Sequence, residues 1–432
     1  TSGCNTNNLF DFSSYSGVTY GSNIRFVNGG APNINYAINN PSNYVFEATP
    51  FSNTNVFLAS QFSGNPLVSG TSSSQIAFWK FPYSRTGSTL PAGGDALATA
   101  AQIGSVYGVA FSKQANKIFT SAYMKRHSGF GPSKGSAKNA PGTIYIIDPT
   151  MTTSSPAATF FVSLDSLGYP THNSSGTPNY GNTVSYSVST TGTGLSQIQT
   201  IIYPNSAAQA VIGTNSNRGL ANDINNPSND PAAYGQIGTV SLGDIEISDD
   251  GLYLFVTNLY DRKVYQLQLN SSSNPTSASV IASWNLPDPP LRSDTGLPGA
   301  TVTYGSETSN FYNGTKGLQR PFALKYYKGK VYVGATATGE NGGVSITENN
   351  SENCEYTDLW SYIWELSPSN GFNATPIIQI PLNYSKGITD EGFSETWNSW
   401  SNKTPSLEVL ASNDLTSAFT NYPSPMLTGI EV

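Results

Sequence analysis

Apolar positions along the chain come in short alternating runs of strand length, broken by Gly, Asn, Asp and Ser, so the pattern has the period of strands rather than helices. The clearest stretch reads Gly243-Asp244-Ile245-Glu246-Ile247-Ser248, then the turn Asp249-Asp250-Gly251, then Leu252 to Asn258. A charged turn, Asp261-Arg262-Lys263, leads into Val264 to Leu269, and Ser279 to Leu286 offers a further strand. Strand, tight turn, strand, short polar turn, strand predicts an antiparallel meander. The same order recurs at Tyr107 to Phe111, Lys117 to Met124, Gly142 to Ile147 and Ala158 to Leu164. It recurs again at Phe322 to Tyr326, Gly329 to Ala335, Tyr362 to Leu366 and Pro376 to Ile380, with a partial copy at Asn55 to Gln61 and Gln75 to Phe81.

Four-stranded meanders repeated with variable loops predict an all-β fold, a β-propeller of about five to seven four-stranded antiparallel blades. A β-sandwich is also built from short strands, but the repeated strand order favours the propeller. Residues 1–43 read as an N-terminal extension and 44–432 as the propeller, with a large insertion around 168–229. Two strand-like runs in that insertion, Thr183 to Ser189 and Ile198 to Tyr203, are an added blade or a loop decoration. Pro425 to Val432 has the pattern of a first strand, parallel to Gly243-Asp244-Ile245. It either completes the partial N-terminal blade and closes the ring or opens a blade truncated at Val432; the second is the expectation.

Composition narrows the function classes. Only 11% of the 432 residues are charged, 12% are aromatic, and the net charge is −7. A disordered chain would carry more charge and fewer aromatics, and a nucleic-acid grip would need a basic face. Apolar runs fall short of a membrane helix. His occurs only at His127 and His172, which leaves little material for a His-based metal site. No metal and no cofactor is expected. Scarce Lys and Glu with abundant Ser, Thr, Asn and Tyr suits a secreted or cell-surface protein, and the chain opens Thr1-Ser2-Gly3-Cys4 as a processed chain would. In an oxidising compartment Cys4 and Cys354 are candidates for one disulfide. Asn173, Asn270, Asn313, Asn349, Asn373, Asn383 and Asn402 each stand in an Asn-Xaa-Ser/Thr sequon and are glycosylation candidates.

Several segments resemble a propeller module of large, secreted, modular bacterial surface proteins, which often also carry B-type repeats like those of serine-aspartate repeat adhesins. The resemblance rests on Lys125-Arg126-His127-Ser128-Gly129-Phe130-Gly131-Pro132 with Gly142-Thr143-Ile144-Tyr145, and on Leu242-Gly243-Asp244-Ile245-Glu246-Ile247. Asn258-Leu259-Tyr260-Asp261-Arg262-Lys263, Arg320-Pro321-Phe322 and Pro425-Met426-Leu427-Thr428-Gly429-Ile430-Glu431 extend it. It implies a fold and an extracellular setting more than an activity.

Lys125, Arg126 and His127 leave a strand together, inside a basic island that holds six of the 20 Lys and Arg between Lys113 and Lys138. They would suit a carboxylate or sulfate, or else tie the loop structurally. Trp397 and Trp400, in a Ser/Asn-rich loop, are candidates for stacking on sugar rings. Asp244, Arg320 and Glu431 fall at or near first strands, where opposite charges would pair along the axis and hold blades in register. Asp249-Asp250-Gly251 lacks the distal Glu of a calcium loop and reads as a hairpin turn. No Gly-Xaa-Ser-Xaa-Gly elbow, Walker loop or His-Glu-Xaa-Xaa-His appears. The function expected is non-catalytic: a structural or adhesion propeller, such as a subunit of a surface filament or layer. Its partners would be copies of itself, other surface proteins or glycans. A carbohydrate-binding module is the alternative, and a polysaccharide-active enzyme on a propeller scaffold the second alternative.

Overall fold

A computed structural model of the chain divides into two compact units, Thr1–Ala48 and Thr49–Val432. It describes residues 56–62, 74–82, 96–133, 136–151, 153, 157–173, 183–189, 196–202, 236–287, 301–304, 307–310, 319–337, 359–382, 397 and 425–432, with single positions at 215, 218, 220, 230 and 233. All of these lie in the second unit.

The regular secondary structure among the described residues is almost wholly strand. In chain order they form β1 (Val56–Ser60), β2 (Ile76–Pro82), β3 (Ala96–Thr99), a single helical turn α1 (Ala100–Ile103), β4 (Val106–Ser112) and β5 (Lys117–Ala122). There follow β6 (Pro132–Ser133), β7 (Ser136–Asn139), β8 (Thr143–Ile147), β9 (Ala158–Ser163), β10 (Thr183–Ser189) and β11 (Ser196–Ile202). Then come β12 (Leu242–Ile247), β13 (Tyr253–Asn258), β14 (Lys263–Leu269), β15 (Ala278–Asn285), β16 (Thr301–Tyr304) and β17 (Glu307–Asn310). The series ends with β18 (Gln319–Tyr327), β19 (Lys330–Ala337), β20 (Trp360–Ser367), β21 (Gly371–Phe372) and β22 (Ile378–Pro381).

Three antiparallel meanders carry the fold: β4-β5-β8-β9, β12-β13-β14-β15, and β18-β19-β20 with β21 and β22 both paired to β20. The partial copy near Asn55 is a three-stranded sheet, β1-β2-β3, and the two runs within 168–229 pair only with each other, as β10-β11. Pairs β6-β7 and β16-β17 are likewise separate hairpins. Residues 425–432, expected as a strand, are placed without a ladder of their own.

Packing follows chain order. Ala77, Phe78 and Leu97 of the first sheet share a core with Val106, Ile118 and Tyr145 of the second. Phe119, Ile144 and Phe161 pack with Ile245, Leu254 and Tyr265 of the third, and Phe255 and Val264 with Leu324, Val333 and Trp364 of the fourth. The second and third sheets thus bury one face against the sheet before and the other against the sheet after, which is why inner strands such as β14 are apolar on both sides. The outermost strand β15 alternates half-buried and exposed residues, as a strand with one covered face should. Asp249-Asp250-Gly251 is the hairpin turn expected: Ser248 Oγ and Leu252 N both donate to Asp250 Oδ1, and Gly251 takes φ +71°.

Candidate functional site

The first strands of the three meanders carry the same irregularity at the same place. Two residues bulge from the ladder in each: Tyr107-Gly108 in β4, Gly243-Asp244 in β12 and Phe322-Ala323 in β18. A bulge sharpens local twist and re-aims side chains, and here it turns these residues toward the seam where the first strands meet. Hydroxyls lock neighbouring first strands there. Ser121 Oγ in β5 donates to Gly243 O at 2.6 Å, and one sheet further on Thr257 Oγ1 in β13 donates to Phe322 O at 3.1 Å. The strands approach so closely that a Cβ on Gly108 would stand 2.6 Å from Ile245 N, so only glycine fits. At Gly334, the β19 position equivalent to Ser121 and Thr257, a Cβ would meet the Leu427 side chain at 2.8 Å.

One end of the seam is aromatic. Tyr107 lies edge-on to Phe322 with centroids 4.8 Å apart, Tyr123 lies 5.3 Å from Phe322, and the two tyrosines are 5.6 Å apart. Leu259, Phe62 and Met426 close around them. Tyr107 Oη donates to Thr428 O at 3.1 Å. Burial and the neighbouring Tyr107 raise the Tyr123 phenol well above its usual range, so it stays protonated.

The other end is charged. Lys325 Nζ stands 3.1 Å from Glu431 and 3.7 Å from Glu246. Asp244 accepts from Leu324 N at 3.0 Å and Ile245 N at 2.9 Å. Burial pushes Asp244 up to about 6, against the pull of those two N–H donors. Burial likewise pushes Glu246 up to about 8; Lys325 opposes the rise, while Asp244 and Glu431 add to it. For Lys325 burial acts downward, but Glu246, Glu431 and Asp244 outweigh it and hold the ammonium above its usual value.

Of the axial residues expected from sequence, Asp244 and Glu431 stand in this cluster, and Lys325 is the cation between the carboxylates. Arg320, five residues earlier, donates to Leu259 O at 3.4 Å. The register explains the difference: Ala110, Glu246 and Lys325 each follow the bulge by two residues, so Glu246 and Lys325 occupy equivalent places whereas Asp244 matches Ala323. Aligning Leu242-Gly243-Asp244-Ile245-Glu246-Ile247 with Leu427-Thr428-Gly429-Ile430-Glu431-Val432 pairs Glu246 with Glu431 and was the available signal.

The Lys125-Arg126-His127 loop is anchored from the insertion. Arg218 and Asp230, both fully buried, meet in a fork: Nε to Oδ1 at 2.8 Å and Nη2 to Oδ2 at 2.6 Å. Arg218 Nη2 also lies 3.0 Å from Lys125 O and from Ser128 O, while Asp230 Oδ2 accepts from His127 N at 2.7 Å. Asn215 grips the backbone of Phe130 through both its N–H and its carbonyl, at 3.0 Å each. Arg218 further lies over the Phe130 ring, 5.6 Å from its centroid. His127 is held at φ +63°, a conformation that a non-glycine residue adopts only when its surroundings impose it. Lys125 is exposed, with Nζ 5.3 Å from the Phe62 centroid, and Arg126 and His127 are half-buried. The insertion, read from sequence only as a blade or a decoration, therefore supplies the residues that fix this loop.

Trp397 is half-buried. Trp400, Cys4, Cys354 and the sequons at Asn313, Asn349, Asn383 and Asn402 lie outside the described residues. Asn270 is exposed, with its amide bonded to Thr276 Oγ1 and its carbonyl accepting from Thr276 N and Ser277 N. Asn373 is exposed and donates to Glu365, and Asn173 is half-buried. Among the described residues, no His, Cys, Asp and Glu side chains form a group of three placed to hold a metal, and no helix is long and apolar enough to cross a membrane.

No protein family matches the sequence, and no curated protein does. Solved structures give distant similarities. A Lactobacillus plantarum protein is 10% identical with a TM-score of 0.23, over 76% of this chain and 83% of that one. A candidate 6-phosphogluconolactonase from Bacteroides uniformis is 10% identical with a TM-score of 0.21, over 77% and 84%. Another from Bacteroides fragilis is 10% identical with a TM-score of 0.22, over 78% and 85%.

Proposed function

We propose that the chain is a β-propeller that serves as a non-catalytic structural or adhesive part of a secreted or cell-surface protein, associating with copies of itself or with other surface proteins. The propeller reading is supported by successive four-stranded meanders whose first strands converge, each with the same bulge and two joined by the same hydroxyl-to-carbonyl tie.

The observation that carries the scaffold reading is the filling of the seam. A small-molecule site needs concave space with a few converging polar groups. Between these first strands that space is taken by Tyr107, Tyr123 and Phe322. At the charged end Asp244 already accepts two backbone N–H groups, and Lys325 is engaged by two carboxylates. The backbone of the basic loop is likewise held by Arg218 and Asp230. An extracellular address is supported by the low charge of the chain and by exposed sequons at Asn270 and Asn373.

Electron microscopy of the purified chain over rising concentration tests both parts. Disc-shaped particles that associate laterally are the expected result. A non-discoid particle overturns the propeller, and dispersed monomers at the highest concentration overturn self-assembly.

A further inference from the structure

Residues 425–432 touch two sheets that are not neighbours in chain order. On one side they meet the fourth sheet: Leu427 N donates to Thr336 Oγ1 at 3.2 Å, Leu427 packs on Gly334, and Glu431 pairs with Lys325 at 3.1 Å. On the other they meet the second: Tyr107 Oη donates to Thr428 O, and Tyr123 Oη lies 3.9 Å from Met426 Sδ. Gly334 holds the place from which Ser121 bonds Gly243 and Thr257 bonds Phe322, and there it meets Leu427, the neighbour of the Thr428 that aligns with Gly243 and Phe322. The segment therefore stands beside the fourth sheet as β12 stands beside the second and β18 beside the third.

The seam is also narrow. Tyr107 and Phe322 belong to sheets separated by a whole meander, yet their rings are 4.8 Å apart. First strands two steps apart touch across the axis only when the ring is small. The remaining sheet, β1-β2-β3, has three strands, packs on the second sheet, and sends Phe62 from the end of β1 into the cluster that holds Met426.

We infer that residues 425–432 are a strap that fills the first-strand place of the β1-β2-β3 sheet and closes a ring of four blades, latched by Glu431 on Lys325. The strap is held by side chains and single hydrogen bonds instead of a full ladder, so it is the join of the ring that opens first. Four blades replace the five to seven expected from sequence. The inference rests on the propeller reading.

Hydrogen exchange on the full chain, read by mass spectrometry, tests it. Leu427→Glu places a charge against Gly334 and releases the strap. Exchange should rise about tenfold in 425–432 and in 56–62 together, while 253–269 in the third sheet changes less than about twofold. If that variant does not fold, Thr336→Val, which removes the acceptor for Leu427 N at nearly constant volume, should raise the same two segments about threefold. Faster exchange in 425–432 with 56–62 unchanged overturns the closure and leaves the propeller standing. The propeller itself fails separately, on the particle shape.

Discussion

Arg218 and Asp230 form a buried ion pair in which one cation meets one carboxylate in a fork, with two backbone carbonyls bonded to Nη2 and an N–H to Oδ2. Lys325 is arranged on another plan: one half-exposed cation stands among Asp244, Glu246 and Glu431, and the acids outnumber it. A matched pair away from water is indispensable once built, because removing either member strands the other. An unmatched cluster instead shifts its surplus by holding protons, and Asp244 and Glu246 are raised accordingly. The first plan fixes a loop; the second makes a join sensitive to its surroundings.

The largest effect should come from breaking the matched pair. Arg218→Met leaves Asp230 with no partner but an N–H, and unfolding in denaturant should show a loss of about 3–5 kcal/mol. The double variant Arg218→Met/Asp230→Leu sharpens the point, since removing both charges should restore much of the loss. A double variant as unstable as the single one would show that the hydrogen bonds to Lys125, Ser128 and His127, not charge balance, hold the loop.

Next comes the unmatched cluster, where the sign follows from the upward shifts. Folded Asp244 and Glu246 keep protons that the unfolded chain has released, because their usual values are 3.8 and 4.5 and their folded ones about 6 and about 8. Their contribution is complete at acid pH and is lost as pH rises through about 6 and then about 8. Stability should fall by about 1–2 kcal/mol between pH 5 and 8, discounted because solvent reaches the cluster. Glu246→Gln, permanently neutral, should flatten this slope, and an unchanged slope in denaturation midpoints would place the titrating group elsewhere.

These two clusters were unequally legible. β12 to β15 could be read because alternation and the Asp250-Gly251 turn are local signals, and the strands fall within a residue or two of where the pattern put them. The charged cluster was half legible: Asp244 and Glu431 are visible as charges near first strands, but Arg320 lies three places ahead of the residue that matches Asp244, and only the ladder registers show that Glu246 and Lys325 are the equivalent pair. Arg218 and Asp230 gave no signal. They sit in a Ser-, Asn- and Gly-rich insertion whose pattern looks like loop, about a hundred residues from the backbone they hold. Long-range polar contacts leave no periodicity, whereas burial does.

Smaller effects belong to the hydroxyl ties of the seam. Ser121→Ala and Thr257→Val each delete one inter-sheet hydroxyl and leave a carbonyl unpaired, at about 1 kcal/mol each by thermal or denaturant unfolding. Since the ties repeat one sheet apart, the two losses should add within about 0.5 kcal/mol. A strongly super-additive double variant would mean that the first strands move as one body.

The smallest effect reverses the pH sign and so isolates what burial does. Lys117 and Asp148 pair at 2.5 Å with roughly a quarter of each side chain in water. Burial acts upward on Asp148, but the bonds from Lys117 and Thr150 outweigh it and hold the carboxyl below its usual 3.8. A lowered value contributes above the unfolded value and is lost as pH falls, opposite to Glu246. Asp148→Asn should therefore cost at most about 1 kcal/mol at neutral pH and progressively less as pH falls below the usual 3.8. With rising pH Asp148→Asn should fall below wild type in denaturation midpoint, whereas Glu246→Gln should rise above it. If Asp148→Asn instead became more stable than wild type as pH rose, as Glu246→Gln should, accessibility to water would not be what separates a carboxylate held by its partner from one held by its proton.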